Sequence, residues 1–506
     1  MDTLISPTRI NPGRRKIFLW KRADNQAILT SLEELKTSLV IDNDINQSWL
    51  EFKTHIINTL ERHVPSKFGR RRQSQPWINT SVKRMIRRKH KAYTKARSSN
   101  SQKDWARYRH LKASSQREAR RAHDTYVDEI FCGDINTKPK RFWSYLKGKH
   151  QDSSGVAPLK KSDGLLYSDT KSKAEILNTQ FHSVYTREDT NNMPNKGTSP
   201  YPDMPSIRVS VKGVLTLLKN ININKATGPD ALPARLLHDY AEHLAPILTS
   251  IFQSSLDKGQ IPEDWRQASI VPIFTKGDKH LASNYRPVSL TSITCKLLEH
   301  IVHSQVMDFL DQQSILHDNQ HGFRSKRSCE SQLVYTINEI ARNLGERGQV
   351  DIILLDFSKA FDKVPHHRLA HKLGYYGIRG STLQWIRDFL TNRTQQLLLE
   401  GHKSSTAPVL SGVPQGTVLG PLLFLLYIND LPERTTSDAR LFADDCLLYT
   451  PVKSRSDTET LQKDLDSSSS GRKNGRWLFI QKSVLSSRLP TKGCPPMGTI
   501  TSMAIC

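Results

Sequence analysis

The sequence predicts a mixed α/β protein that follows a basic, helical N-terminal extension. Of its 506 residues, 37% are hydrophobic, which is enough apolar material for a sizeable core. Beyond about residue 206, apolar runs with helical rhythm alternate with short runs typical of strands. The helical runs cover residues 236–256, 331–344 and 383–390, and the strand-like runs cover residues 270–274, 352–355 and 447–449.

The composition excludes several classes of protein. Six cysteines without a CxxC pair argue against a disulfide scaffold and against a thiolate zinc site. The first residues lack the apolar centre of a secretion signal, so we expect an intracellular protein of the nucleus, the cytoplasm or both. The longest apolar run, residues 418–428, is well short of the roughly 20 residues that cross a membrane.

The net charge of +25 is concentrated in one stretch. Residues 66–150 contain 24 Lys or Arg and 6 Asp or Glu, which indicates a nucleic-acid partner. We expect long helices whose cations and interleaved aromatic rings follow a nucleic-acid strand; the alternative is a solvated helical hairpin with the rings in its core. The candidate contacts are Arg70, Arg71, Arg72, Lys83, Arg84, Arg87, Arg88 and Lys89.

Composition also predicts how the chain is divided. Five segments are expected. They are a partly helical segment (1–65), the basic extension (66–150), a linker rich in Ser, Asn, Asp and Pro (151–205), the α/β domain (206–467), and a tail that suits neither helix nor strand (468–506).

One carboxylate stands directly after a probable buried strand. Residues 352–355 (IILL) are the aliphatic run, and Asp356 follows them. A carboxylate at the end of a strand suits a hard cation. The alternative is an ordinary helix N-cap, because Asp before a helix start is common.

Two adjacent carboxylates interrupt a second apolar stretch, residues 439–449. A two-strand hairpin with Asp444 and Asp445 at its turn fits this pattern, although an ordinary acidic turn would also fit. Two like charges between hydrophobic strands are unfavourable unless a cation offsets them. Together with Asp356 they predict a site for two Mg²⁺ ions, about 3.5–4 Å apart, that supports phosphoryl transfer.

Other segments supply what such chemistry needs. Residues 411–416 (SGVPQG) predict a compact loop with accessible backbone before an apolar helix, or simply the buried start of that helix. Lys276, Lys279 and Arg286 lie around a probable strand–turn–strand and are candidates for binding a triphosphate, although each also suits an ordinary surface.

These segments resemble the reverse transcriptase domain of non-LTR (LINE-type) retrotransposons of the jockey-like group, in the family's order and approximate spacing. The resemblance covers about residues 205–467. The matching motifs are residues 225–233 (KATGPDALP), 273–290 (IFTKGDKHLASNYRPVSL), 321–329 (HGFRSKRSC), 355–366 (LDFSKAFDKVPH), 411–432 (SGVPQGTVLGPLLFLLYINDLP) and 442–445 (FADD).

The resemblance implies the fingers and palm of a right-hand polymerase over residues 206–467, acting on an RNA template, a DNA primer and dNTPs. It makes Asp356, Asp444 and Asp445 the catalytic, metal-binding triad for Mg²⁺, with Mn²⁺ as a substitute. It makes Phe361 the aromatic gate against a ribose 2′-hydroxyl. The remaining nucleotide-binding residues that it implies are Lys276, Arg286, Gln415 and Gly416.

The sequence departs from the family pattern at both ends. No endonuclease motif precedes residue 65, so residues 1–65 are interpreted as a remnant of the endonuclease–polymerase connection. After about residue 467 the expected lysine-bearing loop and thumb do not follow, and no thumb is expected. Plausible codons for residues 471–487, shifted by one nucleotide, spell WEEKWKMAFHSEKCSVL, which resembles the family's continuation and suggests a frameshift.

Two functional hypotheses follow from the sequence. The first is an RNA-directed DNA polymerase, impaired by the loss of endonuclease and thumb. The second is a non-catalytic, nucleic-acid-binding relic of such an element. A group II intron-type maturase is a weaker alternative, because the motifs at residues 225–233 and 411–432 have jockey-like wording. The sequence leaves the oligomeric state open.

Overall fold

The structure is a computed structural model. It describes residues 16–470 with several gaps. Arg70, Arg71 and Arg72 lie outside the described residues, and so does the expected tail apart from residues 468–470. The described residues are 16–41, 44–68, 75–134, 139, 142–143, 145–146, 155–191, 193, 196–345, 349–357 and 359–470.

The chain divides into two compact units, and the division follows the basic extension. The smaller unit contains Arg14–Phe18 and Ser66–Ala157, and the larger unit contains the rest of the chain. In the described residues no helix is long and apolar enough to cross a membrane.

The smaller unit is a pair of basic helices with a short two-stranded sheet. Strands β1 (Lys16–Phe18) and β2 (Ser66–Phe68) pair antiparallel. Helix α3 (Thr80–Ser99) begins at Asn79, whose side chain accepts a hydrogen bond from the backbone N–H of Val82. It is followed by α4 (Gln102–Asp128). The predicted long helices are therefore confirmed, with a break at residues 100–101.

The larger unit contains the remaining helices and strands. Its helices are α1 (Asn25–Ser38), α2 (Ile45–His63), α5 (Thr170–His182), α6 (Val211–Lys219), α7 (Ala234–Asp239), α8 (Ala241–Lys258), α9 (Glu263–Arg266), α10 (Ile293–Gln312), α11 (Cys329–Gly345), α12 (His366–Tyr375), α13 (Gly380–Leu390), α14 (Leu419–Ile428) and α15 (Arg455–Ser470). Its strands are β3 (Leu159–Lys160), β4 (Leu166–Tyr167), β5 (Gln267–Phe274), β6 (Tyr285–Leu290), β7 (Gln349–Asp356), β8 (Thr394–Leu399), β9 (His402–Lys403), β10 (Ala407–Pro408), β11 (Asp438–Phe442) and β12 (Asp445–Val452).

Two sheets organise the larger unit. One has the strand order β10-β8-β5-β6, with β9 also paired to β8, and its β5–β8 pair is parallel. The other has the order β11-β12-β7 and is antiparallel throughout. The runs predicted after residue 206 coincide with elements of these types, except that Tyr240 divides the run 236–256 between α7 and α8, so the mixed α/β class is confirmed.

The first segment of the chain is part of this larger core, although the sequence suggested a separate segment. Trp49 of α2 packs edge-on against Trp265 of α9, with ring centroids 5.1 Å apart. Tyr240 donates a hydrogen bond from its hydroxyl to Asn25 at the start of α1. Both helices bury an apolar stripe against the larger unit, and that stripe explains the association.

The expected linker, residues 151–205, also differs from its prediction. It contains β3, β4 and the helix α5, which packs against β8 and β9. Ala174, Leu177 and Phe181 of α5 are buried, at helical spacing. The many polar residues between these positions hide the stripe from a composition-based analysis.

Candidate active site

The candidate site lies at one edge of the sheet formed by β7, β11 and β12. Asp356 is the last residue of β7 and is register partner to Asp445, the first residue of β12. Directly opposed residues in antiparallel strands have Cα atoms about 4.5–5.5 Å apart. Asp444 lies in the two-residue turn that joins β11 to β12. The structure therefore brings the three predicted carboxylates together, from two chain segments.

The strands exist because of their side chains. In β7, Asp351, Ile353 and Leu355 are buried on one face, and the intervening residues point to the other. Asp356 follows this alternation and is exposed at the strand end. The sequence-based prediction of a buried strand that ends at a carboxylate is thus confirmed, and the N-cap alternative is not needed.

The pKa values of Asp444 and Asp445 are both raised, by burial and by the neighbouring negative charges. Burial raises the pKa of Asp444, the charge of Asp356 raises it further, and Arg286 opposes both effects. Burial, followed by the charges of Asp444 and Asp356, raises the pKa of Asp445. No ion pair involving any of the three is found among the described residues, and the charge of Arg286 offsets only part of the effect at Asp444.

The donor set suits a hard divalent cation, because carboxylate oxygens are the ligands that Mg²⁺ prefers in proteins. Clustered like charges without a partner also favour a bound cation. The fit rests on this chemistry alone: among the described residues, no group of three or more His, Cys, Asp or Glu side chains is arranged closely enough to hold a metal ion.

The candidate gate, Phe361, lies in a short 3₁₀ turn, Ala360–Asp362, just after β7. Its ring stacks on Phe424 of α14, with centroids 4.8 Å apart and planes 20° apart. Phe323 contacts the same ring edge-on at 6.3 Å. Phe361 is therefore held by aromatic packing on two sides while remaining partly exposed.

The glycine-containing loop, residues 411–417, packs directly on this turn. The backbone N–H of Val413 donates to the carbonyl of Phe361, at 2.7 Å. Gly412 has φ +91°, and a Cβ there would lie 2.6 Å from the same carbonyl oxygen. A side chain at Gly412 would push the loop away from the gate, so glycine is required by both close approach and conformation.

The predicted loop residues Gln415 and Gly416 connect the two sheets. The backbone carbonyl of Gln415 accepts a hydrogen bond from the N–H of Ser289 on β6, at 3.0 Å. Gly416 has φ +95°, and a Cβ there would lie 3.0 Å from the carbonyl oxygen of Ser289. The side-chain amide of Gln415 donates to Asp362, at 3.0 Å.

Asp362 is a site residue that the sequence analysis missed. Burial raises its pKa to about 6, while the hydrogen bond from Gln415 and the charges of Lys359 and Arg286 oppose that rise. An acid directly after the gate, in an otherwise apolar and basic motif, was the available signal. A second missed residue is Glu299 of α10, whose buried carboxylate accepts hydrogen bonds from the N–H groups of Val418 and Leu419 and so caps α14.

The candidate cations differ in position. Arg286 is exposed on β6. Its positive charge partly offsets the rise in the pKa of both Asp362 and Asp444, so this charge acts on the site. Lys276 is exposed in the β5–β6 turn and forms no ion pair within the described residues. Lys279 lies over the ring of Phe274, 5.6 Å from its centroid. The predicted strand–turn–strand is confirmed.

In the basic extension, the candidate cations are mostly exposed, whereas the aromatic rings contact one another between the two helices. Lys83, Arg84, Arg87 and Arg88 of α3 are exposed, and Lys89 is half-buried. The rings pack on one another across the helix pair: Tyr93 lies 6.1 Å from Trp105 and 5.2 Å from Tyr108. Trp77 likewise lies 4.7 Å from His123. The rings contact one another but are not buried, and Tyr93 is 39% exposed, so the alternative with the rings in the core of the hairpin stays a prediction.

Comparison with known proteins agrees with this site. Residues 275–476 match the family described as reverse transcriptase (RNA-dependent DNA polymerase). That range contains the three carboxylates, the gate and the glycine-containing loop. This part of the chain is similar to a reverse transcriptase domain.

Three of the similar curated proteins come from mobile elements of Drosophila melanogaster. The RNA-directed DNA polymerase from mobile element jockey is 30% identical over 279 residues, which is 53% of this chain and 30% of that protein. A probable RNA-directed DNA polymerase from transposon BS is 25% identical over 304 residues, covering 57% and 33%. A third, from transposon X-element, is 26% identical over 329 residues, covering 61% and 35%.

The matches support a similarity to the LINE-type reverse transcriptases of non-LTR retrotransposons. The chain spans about a third of the length of the relatives that it matches.

Proposed function

We propose that this chain is an RNA-directed DNA polymerase that joins dNTPs to the 3′-hydroxyl of a DNA primer on an RNA template. The observation that carries the proposal is the register of Asp356 with Asp445, with Asp444 in the adjoining turn. This register concentrates negative charge beside a partly exposed aromatic ring and a cation, Arg286.

Asp356, Asp444 and Asp445 are the residues that would hold two Mg²⁺ ions, with Mn²⁺ as a substitute. When bound, the ions supply activation of the attacking hydroxyl and neutralisation of charge on the leaving pyrophosphate. Before they bind, burial and the neighbouring negative charges raise the pKa values of Asp444 and Asp445 and so favour protonation of these two side chains.

The other residues position the nucleotide. Arg286, with Lys276 at the nearby turn, attracts the triphosphate. The ring of Phe361 limits the space at the sugar, so a ribose 2′-hydroxyl meets the ring edge. The loop at Gln415 and Gly416 offers backbone beside this ring, since the loop is bonded to the gate turn at Phe361.

The basic extension supplies sequence-independent attraction for the template or primer. Its exposed cations on α3 lie at helical spacing, and phosphate neutralisation needs charge density more than exact geometry. We include Lys83, Arg84, Arg87, Arg88 and Lys89 in this surface, and the three arginines at 70–72 by their sequence position.

Primer extension on poly(rA)/oligo(dT) with Mg²⁺, beside Asp444→Asn, tests the proposal. We expect the wild-type chain to extend the primer and Asp444→Asn to lose at least about 10³-fold, since several kcal/mol of charge stabilisation depend on that site. Asp308→Asn, on the exposed side of α10, is the matched control and should extend like the wild type.

Salt-sensitive binding without extension by the wild-type chain would support the non-catalytic alternative instead. The unusual composition after residue 467 leads to a finer expectation, weak and distributive synthesis. The length distribution of products at limiting enzyme measures that property separately from the presence of chemistry.

A further inference from the structure

A four-residue segment, residues 319–322, lies alongside β11 just before the carboxylate turn. The backbone N–H of Leu441 donates to the carbonyl of Asn319, and the N–H of His321 donates to the carbonyl of Leu441, both at 2.9 Å. Gln320 and Leu441 form an isolated parallel bridge. The segment therefore extends the β11-β12-β7 sheet by one short edge. We name residues 319–322 the turn brace.

The side chain of Gln320 reaches the turn itself. It is 2% exposed, and its carbonyl oxygen accepts hydrogen bonds from the N–H of Ala443, at 3.0 Å, and of Gly322, at 2.8 Å. Ala443 has φ +53°, a left-handed conformation that costs a non-glycine residue of order 1 kcal/mol or more. Gln320 thus supplies a hydrogen bond to the strained residue directly before Asp444.

Gly322 sets how closely the brace approaches. A Cβ at this position would lie 2.2 Å from the backbone nitrogen of Ala443 and 2.9 Å from its Cα. These are backbone atoms of a tight turn, which cannot rotate away as a side chain can. Any residue larger than glycine at position 322 must therefore move the turn, the brace or both.

An outer layer of contacts holds the brace on the sheet. The guanidinium of Arg440 on β11 donates to the side-chain oxygen of Asn319, at 2.8 Å, and to Glu339 of α11, at 2.7 Å. Tyr449 of β12 also donates to Glu339. The brace, both strands of the hairpin and α11 are thereby tied into one network, which restricts independent movement of the turn.

We propose that Gln320 and Gly322 are positioning residues for Asp444: the brace fixes the Ala443 backbone so that the Asp444 carboxylate stays beside Asp356 and Asp445. Neither residue contacts a reacting atom; both act through the turn. This inference rests on the proposed polymerase function for its catalytic consequence, while its structural consequence is measurable in the absence of any turnover.

The structural consequence is tested by hydrogen exchange at the Ala443 amide. Gln320→Leu removes the acceptor and should speed exchange at least about tenfold, because a buried N–H is left unpaired. Gln320→Glu keeps an acceptor oxygen and should remain close to wild type. Gln312→Leu, on the exposed end of α10, is the matched control. Unchanged exchange in Gln320→Leu would overturn the brace.

The functional consequence is tested first by Mn²⁺ binding, followed as loss of the free-ion EPR signal. We expect Gln320→Leu and Gly322→Ala to weaken binding about tenfold, with Gln320→Glu and Gly374→Ala near wild type. Gly374 is the matched glycine, since a Cβ there meets only Leu383 at an ordinary 3.8 Å. Faster exchange at Ala443 with unchanged Mn²⁺ affinity would reduce the brace to a structural role and overturn the proposal.

Primer extension then separates the two proposals. In the brace variants we expect a lower kcat and a higher Mg²⁺ requirement, with KM for dNTP unchanged, because nucleotide contacts lie elsewhere. If the wild-type chain extends no primer, the polymerase proposal fails, and the exchange and Mn²⁺ results still decide the brace. A rise in KM for dNTP with kcat unchanged would contradict the proposal that the brace positions Asp444.

Discussion

Two regions of this chain concentrate charge of opposite sign, and they are built differently. The carboxylate turn, residues 443–444, brings Asp444 beside Asp356, which is 88 positions earlier in the sequence. Strand register and the hydrogen bond from Ala443 to Gln320 fix this turn, and the ring of Phe361 is held nearby by stacking on Phe424. The helix pair α3–α4 has very few buried residues and carries its cations on exposed positions.

The difference reflects what each task requires. Catalysis needs like charges held together against their repulsion, so long-range contacts must overcome an unfavourable arrangement. Attraction of a phosphate backbone needs a high density of cations, which even a thin helical scaffold provides. Rigidity is therefore expected to matter at the turn, and charge number at the helices.

The largest effect that sharpens this comparison should come from the helix pair. Changing Lys83, Arg84, Arg87 and Arg88 together to Gln should weaken binding to nucleic acid about a hundredfold and lower the slope of log K against log salt by up to about 3.6, at roughly 0.9 per phosphate. Filter binding across a salt series, with a homopolymer single strand and with a duplex, measures both quantities.

A ring substitution in the same helix pair is the matched control. Tyr93→Leu should lower the melting temperature of the smaller unit but leave the salt slope unchanged, because the Tyr93 ring packs on Trp105 and Tyr108. If Tyr93→Leu reduced affinity for single strands alone without loss of stability, the rings would stack on bases. The claim that only the number of charges matters at the helix pair would then be wrong.

A moderate effect is expected at the gate. Phe361→Val should raise incorporation of ribonucleotides relative to deoxyribonucleotides by about tenfold or more, of the order of 1.4 kcal/mol, because less ring meets the 2′-hydroxyl. The ratio of kcat/KM for rATP and dATP on one template measures it. A ratio equal to that of the wild type would remove Phe361 from the sugar-sensing role.

The smallest effect concerns pH and Asp362. Its folded-state pKa of about 6 exceeds the ordinary 3.8, so the native state keeps a proton that the unfolded state has released. Stability from this group is therefore present below about pH 4 and falls as the pH rises towards 6. Asp362→Asn should remove that fall, measured by chemical denaturation between pH 4 and 7 in EDTA.

Asp308→Asn serves as the control for that pH series, since its side chain is exposed on α10. An Asp362→Asn profile parallel to the wild type throughout would show that the Asp362 carboxyl titrates normally. The turn Ala360–Asp362 would then be less desolvated than its packing implies.

The sequence predicts a helix or strand correctly where neighbouring residues alone specify it. The aliphatic run before Asp356 and the apolar residues around Asp444 each specify a strand, because alternation and β-propensity act within a few residues. The basic helices followed in the same way from uninterrupted helix-forming residues. In contrast, the composition of residues 151–205 predicts a linker and not the helix α5, because the buried positions of α5 are separated by polar residues.

The supporting residues of the site were out of reach of the sequence. Gln320 is 123 residues from Ala443, and Glu299 is 120 residues from Leu419. Nothing in their neighbours signals a hydrogen bond to a distant backbone. The ring packing at Tyr93 was likewise ambiguous, because exposure of an aromatic side chain depends on the partner helix.

The sequence by itself determined the type of each element, the charge of each surface and the candidate carboxylates, because these depend on residues near one another in the chain. Only the tertiary structure decided that Asp356 pairs with Asp445, that Gly322 approaches Ala443, and that Tyr93 of the extension contacts Tyr108. Register and burial arise from contacts between distant segments, whose free energy no local pattern contains.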